Sequence, residues 1–234
     1  MCDDAVVSTY KGYRFPREII SHCVWLYYRF TLPLREIELL MAAGGVEVSY
    51  ETVRAWCVRF GPEFARRLRQ AEDKWHLDEV FVKIGGVRKY LWRAVDQHGN
   101  VLDILIQDKR DGKAATRFFR KLLKKQGRRP RVLVTDKLRS YQVAHRKTRS
   151  TTEHRQNKYL NNRCEKSHQP TRQRERAMKG FRSVGAAQLF LSSFSRIAPH
   201  FRPPRHRMNA TDYRTELAIR FQVWDRVTEM TVAA

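Results

Sequence analysis

The sequence predicts an α/β protein: a mixed five-stranded sheet with flanking helices, preceded by a small all-α domain. Three observations carry that expectation. Apolar residues recur at helical spacing between Phe15 and Phe60, then at every second position from Trp75 onward. Gly85-Gly86 and Gly99-Asn100 punctuate the alternating part as turns, which makes a meander of three strands. An amphipathic helical stretch and a short unbroken apolar run, Val132-Leu133-Val134, follow; such a run marks a strand buried on both faces.

The elements follow in order. After an N-terminal arm of residues 1–14, Pro16 stands where a first helical residue can be proline, and Ile19, Ile20, Cys23, Val24, Tyr27 and Phe30 form the apolar side of a first helix. Leu34, Ile37, Leu40 and Met41 make a second, ended by Gly44-Gly45. Ser49 offers an N-cap to a third, with Val53, Trp56, Cys57 and Phe60 on its buried side. Helix, glycine turn and capped helix over residues 15–60 describe a helix-turn-helix, whose second helix would present Tyr50, Glu51 and Arg54 to the major groove.

Residues 61–74, with Gly61, Pro62 and a polar stretch, read as a linker. In the 75–200 segment, strands at His76–Ile84, Tyr90–Val95 and Val101–Ile106 precede a helix over Gly112–Gln126, which carries Phe118, Phe119 and Leu122 on one face and Arg117, Lys121 and Lys125 on the other. The fourth strand, Val132–Val134, should run parallel to the first, with a fifth near Thr152–Arg155. A helix near Asn161–Gly180, kinked or divided at Pro170, and another over Val184–His200 complete the segment. Residues 201–234 read as a basic C-terminal tail that opens on a loop from Arg202 to Arg207.

Composition narrows the function. The 234 residues carry 47 Lys+Arg against 24 Asp+Glu, a formal charge of +23, while 42% of them are hydrophobic, enough for packed cores. The charge concentrates from Lys109 to Arg131, eleven basic residues against Asp111 alone, and from Arg172 to Arg182, five against Glu175. Basic residues that alternate with helix-forming apolar ones sit on folded surfaces, which favours nucleic acid over membrane as the polyanionic partner. No window approaches the about 18 apolar residues of a membrane span, and Met1-Cys2-Asp3-Asp4 does not begin a secretory signal. A cytoplasmic location is the expectation. Cys2, Cys23, Cys57 and Cys164 lack the spacing of a disulfide framework or a zinc cluster, and Cys164 with His168 four residues on lacks two further ligands.

Acids are scarce, so acids at strand ends are informative. Asp78 opens the first strand and Asp136 ends the fourth; if those strands are neighbours, the two carboxylates converge. Carboxylates so placed repel unless a divalent cation neutralises them, and hard oxygen ligands favour Mg²⁺ or Mn²⁺, two of which serve in-line displacement at phosphorus. Glu165, in Asn161-Asn162-Arg163-Cys164-Glu165, is the candidate third acid, and Glu175 the alternative.

Five blocks then become recognisable: Trp75-His76-Leu77-Asp78-Glu79, Tyr90-Leu91-Trp92-Arg93-Ala94-Val95-Asp96, Val134-Thr135-Asp136-Lys137-Leu138-Arg139-Ser140-Tyr141, Glu153-His154-Arg155 and Asn161-Asn162-Arg163-Cys164-Glu165. From about Phe15 to about His206 the chain resembles the DDE transposases of bacterial insertion sequences, of the cointegrate-forming insertion sequence six family. The resemblance implies a ribonuclease-H-like, integrase-type catalytic domain behind the helix-turn-helix, with Asp78, Asp136 and Glu165 as catalytic and metal-binding triad. It also implies Mg²⁺ or Mn²⁺, two ions, as cofactor. The activity implied is binding of terminal inverted repeats, cleavage of 3′ strand ends and their joining to target DNA, in at least a homodimer. Lys137, Arg139, His154, Arg155, Lys158, Arg172, Arg174 and Arg176 are then expected to grip DNA phosphates near the metals. A non-catalytic repressor, a decayed copy and a nuclease without strand transfer are the competing expectations.

Overall fold

A computed structural model describes residues 7–8, 10–68, 73–148, 151–156, 164, 167–203, 205, 208–229 and 231–232. Glu165 and Lys158 lie outside the described residues. The chain divides into two compact units, Met1–Leu68 with Arg196–Ala234, and Arg69–Ser195.

The first unit is helical, apart from a two-stranded antiparallel ribbon of β1 (Val7–Ser8) and β7 (Thr231–Val232). Its first three helices are α1 (Arg17–Arg29), α2 (Leu34–Ala43) and α3 (Tyr50–Arg67). Pro16 and Pro33 precede α1 and α2 in extended conformation, and the Ser49 side chain caps α3 by accepting from the Thr52 amide. Gly45, at φ +78, supplies the left-handed turn after α2.

Two expectations are corrected here. The stretch read as linker from residue 61 is helical as far as Arg67, because Phe60, Phe64 and Ala65 continue the buried stripe of α3. Pro62 is tolerated inside that helix: its missing N–H withdraws a donor from the Val58 carbonyl, on an exposed residue where water can serve it. Nor is the C-terminal region a plain tail, since α8 spans Ala210–Thr228, capped by Asn209. Trp224 of α8 is buried edge-on against Phe64, with ring centroids 5.2 Å apart.

The second unit carries β2 (Lys74–Ile84), β3 (Val87–Asp96), β4 (Val101–Gln107), α4 (Gly112–Gln126), β5 (Val132–Thr135), α5 (Arg139–Lys147), β6 (Glu153–Gln156), α6 (Gln169–Ala177) and α7 (Val184–His200), of which residues up to Ser195 belong here. Strand order is β4-β3-β2-β5-β6. The β4-β3-β2 meander is antiparallel, and β5 and β6 add in parallel, which is the ribonuclease-H-like arrangement. Gly85 and Gly86, at φ +56 and +80, close the β2–β3 hairpin in the mirror-image turn that matches strand twist. The helical stretch is divided just before Pro170, as its position predicts: Cys164 and Ser167 are helical, His168 is a turn, and α6 restarts at Gln169 with the proline in its first turn, where its missing N–H costs nothing.

Alternation along β2 and β3 gives the sheet two chemically different faces. Trp75, Leu77, Trp92 and Ala94 pack under Phe118, Phe119 and Leu122 of α4 and Tyr141 and Ala144 of α5. Each buried phenylalanine contributes on the order of 2–3 kcal/mol. Asp103 of β4 is buried beneath α4 and receives Lys121 and Lys125, both at 2.5 Å. The other face bears His76, Asp78 and Arg93, all buried.

Candidate active site

Parallel pairing of β2 with β5 matches His76 to Val134 and Leu77 to Thr135 and then stops. Asp78 and Asp136 are the next residue on each strand, so the register itself brings the two acids to one end of the sheet. Asp78 is buried, whereas the Asp136 side chain is 29% exposed. Burial first, and then the negative charge of Asp136, push the Asp78 carboxyl up to about 7. The Leu138 amide donates to Asp136 Oδ1 at 3.0 Å, an Asx turn that aims the carboxylate as the chain leaves β5.

Opposite Asp78 in the antiparallel register stands Arg93, fully buried, its guanidinium pulled down to about 10 by loss of solvent and still charged. Arg93 donates to the Ser167 carbonyl, to Thr171 Oγ1 at 2.5 Å and to Ser195 Oγ at 3.5 Å. It thereby ties α6 and α7 to the sheet. The Cys164 thiol donates to the Arg93 carbonyl at 3.7 Å. His168 Nε2 lies 3.4 Å from Asp78 Oδ2, and burial holds the imidazole neutral. Ligand atoms of Asp78, Cys164 and His168 fall within 4.8 Å of one another. A soft-metal site is nonetheless disfavoured there, because burial drives the Cys164 thiol well up from its usual range and the Arg93 cation stands beside it.

Glu79, next to Asp78 but on the opposite face, was not singled out in the sequence. Its carboxyl is buried, receives the Tyr141 hydroxyl and pairs with Arg110 Nε at 2.5 Å; burial pushes it up to about 7. Arg110 Nη2 reaches to 3.8 Å from Asp136 Oδ2. A buried acid at an inward position of β2 was the one available sequence signal for this group.

The remaining expected residues separate by exposure. Lys137 and Arg139 flank Asp136 and face solvent, as do Arg172 and Arg176 of α6. Arg174 is buried with its guanidinium 5.6 Å from the centre of the Phe190 ring, so it is a packing residue rather than a phosphate contact. His154 is half-buried, 2.9 Å from Thr135 Oγ1 and stacked on His145, while Arg155 is exposed and paired to Glu153 at 2.6 Å. Glu175 is half-buried on α6 among those arginines. In the helical unit Glu51 and Arg54 are exposed at the start of α3, and the Arg35 guanidinium lies 4.5 Å over the Tyr50 ring.

The residues present fit a divalent cation. Two carboxylates stand side by side just past the last paired residues of β2 and β5, one of them raised by burial and by its neighbour's charge, and the donors are hard oxygens.

A family described as a DDE domain matches residues 72–203. The transposase for the insertion sequence-like element IS431mec of Staphylococcus aureus is 32% identical over 171 residues, 69% of this chain and 76% of the relative. The transposase for element IS257 in transposon Tn4003, also of Staphylococcus aureus, matches to the same extent. The catalytic core domain of the integrase of HTLV-2, solved with magnesium, superimposes with a TM-score of 0.41 at 13% identity, covering 60% of this chain and 91% of that one. The chain belongs to the DDE transposases of bacterial insertion sequences, the insertion sequence six family, whose polynucleotidyl transfer carries out DNA transposition.

Proposed function

We propose that Asp78 and Asp136, with Glu165 completing the set, hold two divalent ions, Mg²⁺ or Mn²⁺, against a scissile phosphodiester. When bound, the ions would activate the attacking oxygen and stabilise the leaving oxygen. The observation that carries this reading is the end of the β2–β5 pairing at Leu77–Thr135, with an acid next on each strand. Arg93, opposite Asp78 in register, holds the Ser167 carbonyl and Thr171 and receives the Cys164 thiol at its carbonyl; Glu165 is next to Cys164 in sequence, which supports its assignment.

The chain's own residues would do the rest. Asp78 and Asp136 would fix the ions' place where the β2–β5 pairing ends, and exposed Lys137, Arg139 and Arg172 would neutralise phosphates around it. Arg155 would extend that basic rim, and Lys158 is proposed from the sequence as a further phosphate contact. In the helical unit residues 15–60 would act as a helix-turn-helix on the element's terminal inverted repeats, reading bases through Tyr50, Glu51 and Arg54 of α3. First hydrolysis and then attack by the freed 3′-OH on target DNA are both in-line displacements, so one site serves both. Joining two ends calls for a homodimer or larger assembly, working on the cell's nucleoid DNA. A purely DNA-binding repressor is not favoured, because repression needs no pair of acids side by side where two strands part.

The test is strand joining: purified chain, Mg²⁺ and DNA bearing the terminal repeats. Joined products are expected beside nicked ones, and Asp136→Asn should abolish joining while leaving repeat binding intact. Joining by Asp136→Asn at the parent's rate would remove the catalytic assignment, and nicks without joined products would make the chain a nuclease.

A further inference from the structure

Beyond Leu77, β2 loses its β5 neighbour, and among the described residues its edge stays unpaired until Ile84 bridges to Phe181. An open strand edge leaves backbone donors and acceptors in want of partners. Across from this edge lies α6, and between them is a cavity of about 420 Å³. Phe81 and Lys83 line its strand side; Arg172, Glu175, Arg176 and Lys179 line its helix side. Arg172, Glu175 and Arg176 are spaced 0, 3 and 4 along α6, which places them on one face, and Lys179 follows just past the helix end. Four cations against one acid, with Glu175 half-buried, make the groove strongly basic.

One feature does not suit an ordinary solvated surface: Phe81 is 56% exposed at the centre of a strand, with the Arg88 guanidinium 5.2 Å from its ring centre. Lys179, at φ +55, is the left-handed residue that closes α6, its amide donating to the Arg176 carbonyl and that of Gly180 to the Glu175 carbonyl, and this ending sets Lys179 at the groove's end. An exposed aromatic plane beside guanidinium groups in a cationic channel is the construction that binds single-stranded nucleic acid, by stacking bases and neutralising the backbone.

We infer that this groove is a strand-binding channel: a single DNA strand leaving the Asp78–Asp136 pair runs along the open edge of β2, stacks a base on Phe81, and lays its phosphates against Lys83, Arg172, Arg176 and Lys179. The inference rests on the proposal that the acid pair marks where the phosphodiester reacts. Asp78 stands where the open edge begins; Phe81, three residues on, shares the opposite face with Glu79, so a strand leaving the acid pair reaches Phe81 by passing over the open edge itself. A frayed or cleaved end is the form of DNA that offers an unstacked base.

The experiment uses the full chain in EDTA, with a ten-nucleotide single strand carrying 2-aminopurine and a terminal dye. Quenching of 2-aminopurine reports stacking, and anisotropy reports binding, which other basic surfaces of a +23 chain also feed. Phe81→Ser, at an exposed position where folding is not at stake, is expected to abolish the quench and weaken binding about five- to a hundredfold; Phe81→Tyr should keep both. Arg176→Gln and Lys179→Asn, the latter keeping a residue that tolerates positive φ, should each lower the salt slope by about 0.7. Quenching by Phe81→Ser equal to the parent's would overturn the channel, as would binding with no quench in the parent. Because no metal is present, joining by Asp136→Asn would sink the catalytic reading without touching this result, and the two failures are separable.

Discussion

Arg110 donates from Nε to Glu79 Oε1 at 2.5 Å, joining an arginine whose side chain is 44% exposed to a carboxylate that is 1% exposed. Removing the cation would leave that carboxylate facing only the Tyr141 hydroxyl in a dry site. Arg110→Ala is therefore expected to lower stability by about 1–2 kcal/mol, below the cost of breaking a fully buried pair because the arginine is partly solvated. Glu79→Gln, which keeps the shape and discards the charge, should cost less. Urea midpoints for the two variants check the order.

Lys121 and Lys125 converge on buried Asp103 from successive turns of α4, and Lys121 also donates to the Ile104 carbonyl at 2.8 Å. These two lysines of a strongly basic helix are therefore structural. Lys121→Met should cost about 1–2 kcal/mol and leave DNA affinity nearly unchanged, whereas Lys124→Met should be neutral for stability. Equal stability of the two variants would remove the distinction.

In the helical unit Tyr28 lies on Gly61 so closely that an added Cβ would meet its hydroxyl oxygen at 2.6 Å, and that hydroxyl donates to the Cys57 carbonyl at 3.1 Å. Alanine is ordinarily the better helix former by about 1 kcal/mol. Here Gly61→Ala should instead destabilise by about 1–3 kcal/mol, since a buried ring must shift. A raised melting temperature for this variant would contradict the packing described.

Burial, helped by His145, lowers His154 to about 4 from the ordinary 6.5. Between those values the unfolded chain takes up a proton that the folded chain refuses, so this histidine's contribution is intact above pH 6.5 and is lost as pH falls toward 4. Asp78 and Glu79, raised to about 7, act in the opposite sense over the acidic range, since the folded chain holds their protons longer. Comparison with His154→Gln isolates the histidine: the variant should lose less stability than the parent between pH 6.5 and 4. Parallel pH profiles would refute it.

With no cation present, Asp136 repels Asp78. Asp136→Asn should thus leave the metal-free chain at least as stable as the parent, while removing the gain that Mg²⁺ confers on the parent, about 2.7 kcal/mol at a hundred times Kd. Thermal unfolding with and without Mg²⁺ measures both quantities, and an undiminished Mg²⁺ gain in Asp136→Asn would place the ion elsewhere.

Much of this was legible in one dimension because it depends on short spacings. Ser49 as a cap, Gly85-Gly86 as a hairpin turn and Val132–Val134 as a buried strand each follow from local backbone or solvation preferences. The same reasoning misjudged residues 61–67, where Pro62 and Gly61 suggested a break, because packing of Phe64 and Ala65 outweighs a single missing hydrogen bond. It also grouped Arg172, Arg174 and Arg176 by charge, though helical geometry sends Arg174 inward and its neighbours outward.

What the amino-acid order determined alone is the succession of helices and strands, the excess of positive charge and the choice of Asp78 and Asp136 as candidate acids, since periodicity and composition are properties of neighbours along the chain. Only the tertiary structure decided that β5 docks beside β2 with those acids in adjacent rows, that Arg110 and Tyr141 converge on Glu79 and that the far half of β2 is left open beside α6. These are relations between residues tens of positions apart, set by which surfaces exclude water together, and no local spacing encodes them.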